Sequence, residues 1–142
     1  MIGGSLSREA DMTLFVNEEF TSHAGLQLGW KIEMDALYMS DWRCLAKIIL
    51  EYEKRPFREA VGIPRGGKRL GDILNESATG NPDDPVLIVD DVYTTGTSFR
   101  EYMIEHYPDD ETICWAVFAR DVVSGPINVL FQMPSTMRPN LK

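Results

Sequence analysis

The stretch that most constrains this chain runs from Val86 to Ser98, where four aliphatic residues lead into two adjacent carboxylates and then into a turn rich in Thr and Gly. A continuous apolar run of this length is typical of a strand buried on both faces in a parallel sheet. A helical pattern follows the turn at once, with Phe99, Tyr102 and Met103 at helical spacing. The stretch therefore predicts a strand, a loop and the N-terminus of a helix in direct succession.

The turn after this strand has the chemistry of a phosphate site. Amide groups in the first turn of a helix have no intrahelical acceptor and point towards an anion, and Gly96 allows the backbone to approach it closely. Asp90 and Asp91 can accept hydrogen bonds from vicinal hydroxyls or hold Mg²⁺. Phosphate donors beside sugar acceptors indicate a phosphorylated ribose. The hydroxyls that can donate without adding charge are those of Thr94, Thr95, Thr97 and Ser98.

These contiguous residues closely resemble the signature of type I phosphoribosyltransferases, which bind 5-phosphoribosyl 1-diphosphate (PRPP). The resemblance implies that Asp90 and Asp91 are the catalytic pair, that they bind the 2- and 3-hydroxyls of the ribose, and that residues 94–98 surround the 5-phosphate. It also implies Mg²⁺ as cofactor, held at Asp90 and Asp91 mainly through PRPP. The alternative is a receiver-like domain in which the acidic end of the strand binds Mg²⁺ and Thr97 or Ser98 caps a helix.

A second unit of strand, glycine loop and helix precedes the first. Residues 59–64 form the predicted strand, and Arg65, Gly66 and Gly67 open a helix that carries Leu70. A guanidinium at a helix N-terminus can grip phosphate oxygens in a bidentate manner. In the family this position is the pyrophosphate loop, and the resemblance implies that the amides of Arg65, Gly66 and Gly67 bind the diphosphate, often across a non-proline cis peptide. Without the resemblance, two adjacent glycines would indicate only a turn.

The residues after the third predicted strand, 112–119, concern the base. Arg120 follows the carboxyl end of that strand, which is the edge where ligands of open α/β sheets bind. Orotate phosphoribosyltransferases carry an arginine there that reads the base, and Arg120 matches it, although Ala119 replaces their Asp. The alternative is a surface ion pair. Thr94 stands where 6-oxopurine enzymes carry an Asp, which argues against hypoxanthine or guanine as the base.

The N-terminal part predicts a small subdomain. A helix is expected from Ser7 to about Phe20, followed by strict alternation from Leu26 to Ala36 that predicts one strand, or two short strands broken near Gly29. Residues 20–25 resemble the hood of orotate phosphoribosyltransferases, and the resemblance makes His23 a candidate base contact; the alternative is a surface or core histidine. A helix capped by Ser40 or Asp41 should follow, with one face formed by Trp42, Leu45, Ala46, Ile49 and Tyr52.

One departure from the family lies between the second helix and the strand at Val86. Only residues 78–85, a polar stretch rich in Asn, Asp and Pro, are available there. Family enzymes usually place a strand and a long flexible loop at this point. That loop closes over the active site, and in orotate enzymes it supplies a catalytic lysine to the neighbouring subunit. Its absence predicts slow catalysis, a lid supplied from elsewhere, or binding without turnover.

Composition narrows the class of protein. A formal net charge of −8 with no cluster of Lys and Arg argues against nucleic-acid binding. Cys44 and Cys114 have neither metal-ligand spacing nor a disulfide framework, and both are predicted to be buried thiols in a reducing compartment. No apolar run approaches the length that spans a membrane, and no signal segment is visible, so we expect a cytoplasmic protein that does not bind membranes.

The sequence as a whole predicts one α/β domain over residues 1–142, with a mostly parallel central sheet flanked by helices. Its parts are a hood at about 20–38, a core at about 40–133 and a tail at 134–142. The resemblance implies an Mg²⁺-dependent, orotate-like phosphoribosyltransferase that transfers 5-phosphoribosyl from PRPP to a nitrogenous base and releases pyrophosphate, and that forms a homodimer. The alternative is a catalytically weak or inactive PRPP-binding regulatory protein.

Overall fold

The computed structural model describes residues 14–16, 20–21, 27–28 and 31–133, and between residues 15 and 32 it describes the backbone only. Eight strands and three α-helices lie in these ranges. In chain order they are β1 (Phe15–Val16), β2 (Phe20–Thr21), β3 (Gln27–Leu28), β4 (Lys31–Ile32), α1 (Met39–Tyr52), β5 (Glu59–Gly62), α2 (Lys68–Leu74), β6 (Val86–Tyr93), α3 (Thr97–His106), β7 (Thr112–Ala119) and β8 (Ile127–Gln132). Short 3₁₀ turns lie at Met34–Ala36 and Asn75–Ser77.

Strands β5 to β8 form one parallel sheet in the order β5-β6-β7-β8. The two strands predicted from continuous apolar runs, β6 and β7, occupy its centre, as expected for strands covered on both faces. The α/β class, the parallel sheet and the strands predicted at 59–64, from Val86 and at 112–119 are therefore confirmed. Because α2 joins β5 to β6 and α3 joins β6 to β7, each helix returns the chain so that the next strand starts at the same edge. Residues 120–126 alone join β7 to β8.

Alternate residues of the central strands face two separate hydrophobic layers. One layer, on the side of α1 and α2, contains Trp42, Ile49, Leu70, Leu87 and Val89, all almost fully buried. The other layer, on the side of α3, contains Val86, Ile88, Cys114, Ala116 and Phe99. The sheet is thus the middle of three layers, and its strand ends are the edges that helices leave uncovered.

Helix α2 lies unusually close to β5 because it carries a glycine at the contact. A Cβ added to Gly71 would lie 2.7 Å from the carbonyl carbon of Val61 and 2.8 Å from Cα of Gly62. A backbone atom cannot move away as a side chain can, so any residue larger than glycine would push the helix from the sheet. Gly71 therefore fixes how close the N-terminus of α2 comes to the end of β5.

The N-terminal expectations are partly wrong. The helix predicted from Ser7 to about Phe20 is not formed at Phe15–Val16, which pair antiparallel with Lys31–Ile32 as β1 and β4. Non-local strand pairing overrides the local helical spacing there, and the remaining residues before 14 lie outside the described part of the chain. The alternating run from Leu26 consists of two short strands, and it ends in a 3₁₀ turn over Met34–Ala36 instead of continuing as a strand.

Three further details correct the predictions for α1. The helix begins at Met39, before the predicted caps; Asp41 lies in its first turn, where its Oδ2 accepts the backbone N–H of Tyr38 at 2.8 Å. Tyr52 is 70% exposed, so it does not extend the buried face. Cys44 is exposed, whereas Cys114 is buried as expected. The predicted burial of Cys44 was therefore wrong. Its position on helix α1 places it on the exposed face.

A membrane-crossing helix would need about 20 apolar residues. Within the described ranges, no helix combines that length with that apolar character.

We expect Gly71→Ala to destabilise the protein. Overpacking against backbone typically costs about 1–3 kcal/mol, which exceeds the roughly 1 kcal/mol that alanine gains over glycine in a helix interior. Urea unfolding should show a lower midpoint, while Asp72→Ala on the exposed side of the same helix should change stability by no more than about 0.5 kcal/mol. A Gly71→Ala protein as stable as the wild type would mean that α2 does not press on β5.

Candidate active site

The carboxyl ends of β5, β6 and β7 meet at one edge of the sheet. Gly62, the last residue of β5, is in register with Val89, directly before the acidic pair on β6. Tyr93, the last residue of β6, is in register with Ala119, the last residue of β7. The three loops that follow these strands, at 63–67, 94–98 and 120–126, therefore leave the sheet side by side. Strand β6 itself extends through the two aspartates to Tyr93.

The glycine loop after β5 packs directly on the acidic pair. A Cβ added to Gly66 would overlap the carboxyl group of Asp91, at 2.5 Å from its Cγ, and one added to Gly67 would lie 3.0 Å from Cα of Asp90. At Gly67 the neighbouring atoms are backbone, so only a residue without a side chain fits there, whereas a side chain at position 66 would displace the carboxyl group of Asp91. The loop with the resemblance to a pyrophosphate site and the acidic pair therefore form a continuous surface.

The backbone of this glycine loop has amide groups ready for a ligand. The N–H of Gly67 donates to the carbonyl of Ile63 at 2.9 Å, and the N–H of Lys68 donates to the carbonyl of Arg65 at 3.3 Å. In the part of the chain that the structure describes, the amides of Arg65 and Gly66 have no such acceptor. The Pro64–Arg65 peptide is cis. Two open amides beside an exposed guanidinium can hold an anion.

The loop after β6 closes tightly before α3 begins. Gly96 adopts φ of +83°, a left-handed conformation that favours glycine. The hydroxyls of Thr95 and Thr97 share a hydrogen bond of 2.9 Å, and the Thr97 N–H donates to Oγ1 of Thr95 at 3.4 Å. Helix α3 starts at Thr97, so the amides of its first turn face the same loop. The predicted succession of strand, loop and helix N-terminus is confirmed.

The two carboxylates differ in burial. Asp90 is 8% exposed and Asp91 is half-buried. Burial raises the pKa of Asp90 to about 9, and the neighbouring charge of Asp91 acts in the same direction. The backbone N–H of Asp91 donates to Oδ1 of Asp90 at 2.8 Å, and that of Val92 donates to Oδ1 of Asp91 at 2.7 Å. Burial and this neighbouring charge both favour the protonated form of Asp90.

Tyr93 connects two of the loops, a role that the sequence reading missed. Its side chain is 2% exposed, its phenol oxygen accepts the N–H of Ser124 at 3.1 Å, and it lies 3.3 Å from the Ser124 hydroxyl. Its carbonyl accepts the N–H of Arg120 at 3.0 Å. The bulk of Tyr93, compared with the aliphatic residue usual in the family, is the signal that could have indicated this link.

Arg120 lies at this same edge and is 4% exposed. Its side chain is therefore buried at this edge instead of lying exposed on the surface. His23, the other candidate for contact with a base, lies outside the described residues. An open apolar pocket of about 260 Å³ lies near the end of β7, and its lining residues are Leu14, Leu37, Asp41, Cys44, Leu45 and Phe118.

The residues at this edge fit Mg²⁺ only in part. Among the described residues, no group of three or more His, Cys, Asp or Glu side chains could hold a metal ion by itself. Mg²⁺ is commonly held by one or two carboxylates together with phosphates of a substrate. Asp90 and Asp91 fit that arrangement, in which the ligand completes the coordination.

Sequence comparison gives no relative, since no protein-family model and no curated protein matches the chain. Solved structures do match. Orotate phosphoribosyltransferase from Aeropyrum pernix aligns with a TM-score of 0.62 at 18% identity, covering 94% of each chain. The enzyme of the same name from Mycobacterium tuberculosis aligns with a TM-score of 0.61 at 14% identity, covering 91% of this chain and 93% of that one.

A larger protein matches as well. UMP synthase from Leishmania donovani aligns with a TM-score of 0.69 at 15% identity, and the match covers 93% of this chain but only 36% of that protein. Likeness at these identities concerns the fold. The chain has the α/β fold of the orotate phosphoribosyltransferases, which is the type I phosphoribosyltransferase fold.

Proposed function

We propose that this protein binds PRPP and transfers its 5-phosphoribosyl group to a nitrogenous base, with release of pyrophosphate. The observation that carries the proposal is the packing of Gly66 against the carboxyl group of Asp91. It means that the open amides of the glycine loop and the acidic pair line one surface, beside the loop at 94–98. A single sugar phosphate with a diphosphate at one end and a phosphate at the other would contact all three.

Each part of this surface matches one part of PRPP. Asp90 and Asp91 accept hydrogen bonds from the vicinal ribose hydroxyls. The hydroxyls and first-turn amides at 94–98 bind the 5-phosphate. Arg65 and the amides beside it bind the diphosphate. The ribose is thereby fixed at three points, with C1 between the glycine loop and the base.

Fixing PRPP in this way is the main contribution that the chain makes to catalysis. The reaction passes through a centre at C1 with oxocarbenium character, and no covalent nucleophile is required. Rate comes from holding the diphosphate while a nitrogen of the base approaches from the opposite side. Mg²⁺, bound with the diphosphate near Asp90 and Asp91, would neutralise charge on the leaving group.

The base is proposed to be orotate-like. Arg120 lies at the carboxyl end of β7, and its backbone N–H donates to the carbonyl of Tyr93, the residue directly before the loop at 94–98. A guanidinium there suits a base that carries carboxylate or carbonyl oxygens. The neutral Thr94, where 6-oxopurine enzymes have an Asp, supports the same choice. His23 stays a candidate for contact with the base. We further propose that the protein is a homodimer and that it is cytoplasmic.

A second candidate function is supported by the connection between α2 and β6. Residues 78–85 contain no strand, and their backbone runs directly back to the sheet. A lid that excludes water is usual for this chemistry. A short connection of this kind favours a regulatory protein that binds PRPP and turns it over slowly or not at all.

The test is to incubate the protein with PRPP, Mg²⁺ and a panel of bases and to measure pyrophosphate release, with PRPP binding measured in parallel by calorimetry. Release with orotate or a related base supports the transferase. Binding without release supports the regulatory protein. Absence of PRPP binding would contradict both.

Asp91→Asn is the matched variant, and it should weaken PRPP binding about tenfold or more, since a hydrogen bond to a charged group contributes about 1.5–3 kcal/mol.

Arg65→Ala should separate the two ends of the ligand. The change removes the guanidinium beside the open amides of the glycine loop, so affinity for pyrophosphate should fall by about tenfold or more. Affinity for ribose 5-phosphate should change little, because that ligand has no group at this loop. Equal losses for the two ligands in calorimetry would contradict the placement of Arg65 at the diphosphate.

Asp90→Asn should stabilise the ligand-free protein while weakening PRPP binding. Because the pKa of Asp90 is raised to about 9, the folded state holds a proton that the unfolded state releases near pH 4, so wild-type stability falls as pH rises between these values. The melting temperature of Asp90→Asn should therefore exceed that of the wild type by more at pH 8 than at pH 5. Asp72→Asn, at an exposed position, is the control. A difference that does not grow with pH would rule out a buried, protonated Asp90.

A further inference from the structure

The side chain of Arg100 lies on the loop between β6 and α3. Its Nη2 donates to Oγ1 of Thr97 at 3.2 Å, and its Nη1 lies 3.4 Å from the position that a Cβ on Gly96 would occupy. Its backbone N–H donates to the carbonyl of Gly96 at 3.1 Å. In a helix, long side chains point back towards the N-terminus, which explains why a residue one turn into α3 reaches the loop. The guanidinium therefore covers the loop from the helix side.

The charge of Arg100 is available, in contrast to that of most arginines described. Four other arginines each form an ion pair with a carboxylate, namely Arg43, Arg55, Arg58 and Arg69. Over the same described ranges, Arg100 forms no ion pair, and its hydrogen-bond partner is a neutral hydroxyl. The loop at 94–98 has no charged side chain of its own, and the chain carries a net charge of −8. A phosphate at this loop would find a compensating positive charge in Arg100.

The hydroxyls of the loop are arranged to donate to such a phosphate. A guanidinium has no acceptor, so Oγ1 of Thr97 must accept from Arg100. Thr95 and Thr97 share one hydrogen bond between them. Whichever of the two donates, the O–H of the other is left over. The loop with Arg100 thus offers one free hydroxyl proton and further guanidinium N–H groups on the same side.

We infer that Arg100 is a binding residue for the 5-phosphate, and that it makes this site select the dianionic form of a sugar phosphomonoester. The inference rests on the proposed function. A guanidinium binds two phosphate oxygens at once, with roughly twice the strength of a neutral donor. The second ionisation of a phosphomonoester has a pKa of about 6, so the preference for the dianion becomes visible between pH 5 and 7.5.

The test compares Arg100→Gln with the wild type for binding of ribose 5-phosphate, measured by calorimetry at pH 5 and at pH 7.5. At pH 7.5 the variant should bind about tenfold to a hundredfold more weakly, as expected when one charge-assisted hydrogen-bond partner is lost. The wild type should bind ribose 5-phosphate more tightly at pH 7.5 than at pH 5, and this gain in affinity should be smaller in Arg100→Gln. Arg100→Lys should recover part of the affinity, because it keeps a point charge but not the fork. Arg43→Gln, at an exposed ion pair with Glu76, is the control and should bind as the wild type does.

Binding of pyrophosphate separates this inference from a general loss of structure. Arg100→Gln should bind pyrophosphate as tightly as the wild type and melt at the same temperature. Equal affinity of Arg100→Gln and wild type for ribose 5-phosphate would overturn the inference while leaving the proposed function intact. Equal loss of affinity for both ligands would also overturn it. A wild-type protein that binds neither PRPP nor ribose 5-phosphate would instead refute the proposed function.

Discussion

The contact between Gly66 and the carboxyl group of Asp91 is the constraint on which the rest of the site depends. The loop requires glycine at position 67, since a Cβ there would lie 2.6 Å from the carbonyl oxygen of Val89, and the absence of a side chain at Gly66 leaves room for the Asp91 carboxyl group. It also requires Gly71, which lets α2 approach β5 closely enough to bring the glycine loop over β6. The three glycines thus have one common effect. Each removes a side chain at a close contact: Gly66 lies against the carboxyl group of Asp91, and Gly67 and Gly71 lie against backbone atoms.

This close packing has an electrostatic cost that a ligand can offset. The sheet positions two adjacent carboxylates at its edge, and burial, together with the charge of Asp91, raises the pKa of Asp90. Residues that are optimal for stability would not be acidic here. Ligand hydroxyls and a cation would supply the donors and the charge that the pair lacks. The phosphate loops likewise have donors that a ligand would satisfy, because the open amides and the guanidinium of Arg100 have no anion beside them.

The core of this fold could be predicted from sequence because its signals are local and repeated. Continuous apolar runs predict β6 and β7, and each glycine loop lies between a strand pattern and a helix pattern. The same reasoning predicted a shared edge for the loops, because parallel strands joined by helices end on the same side. It could not predict how closely Gly66 approaches Asp91, since that distance depends on helix packing at Gly71. The link from Tyr93 to Ser124 was missed because it joins residues far apart in sequence by a side-chain hydroxyl.

Local reasoning failed in the N-terminal part for a physical reason. Short strands such as β1 and β4 are stabilised by pairing with each other, and the local pattern around Phe15 and Val16 does not reveal a partner that lies at Lys31 and Ile32. The prediction that Cys44 is buried failed for a similar reason, because the sequence around a single helical residue does not show which neighbours cover it. Arg100 escaped notice since it lies beyond the loop motif and reaches back to it only once α3 is formed.

The measurement that tests the account most directly is a titration of backbone amide resonances with three ligands. Pyrophosphate should shift the amides of Arg65 and Gly66, ribose 5-phosphate should shift those at 94–98, and PRPP with Mg²⁺ should shift both sets with a single saturation curve. One curve means that one molecule spans the two loops across Asp90 and Asp91. Separate saturation of the two sets by PRPP, or shifts confined to one loop, would contradict the central claim.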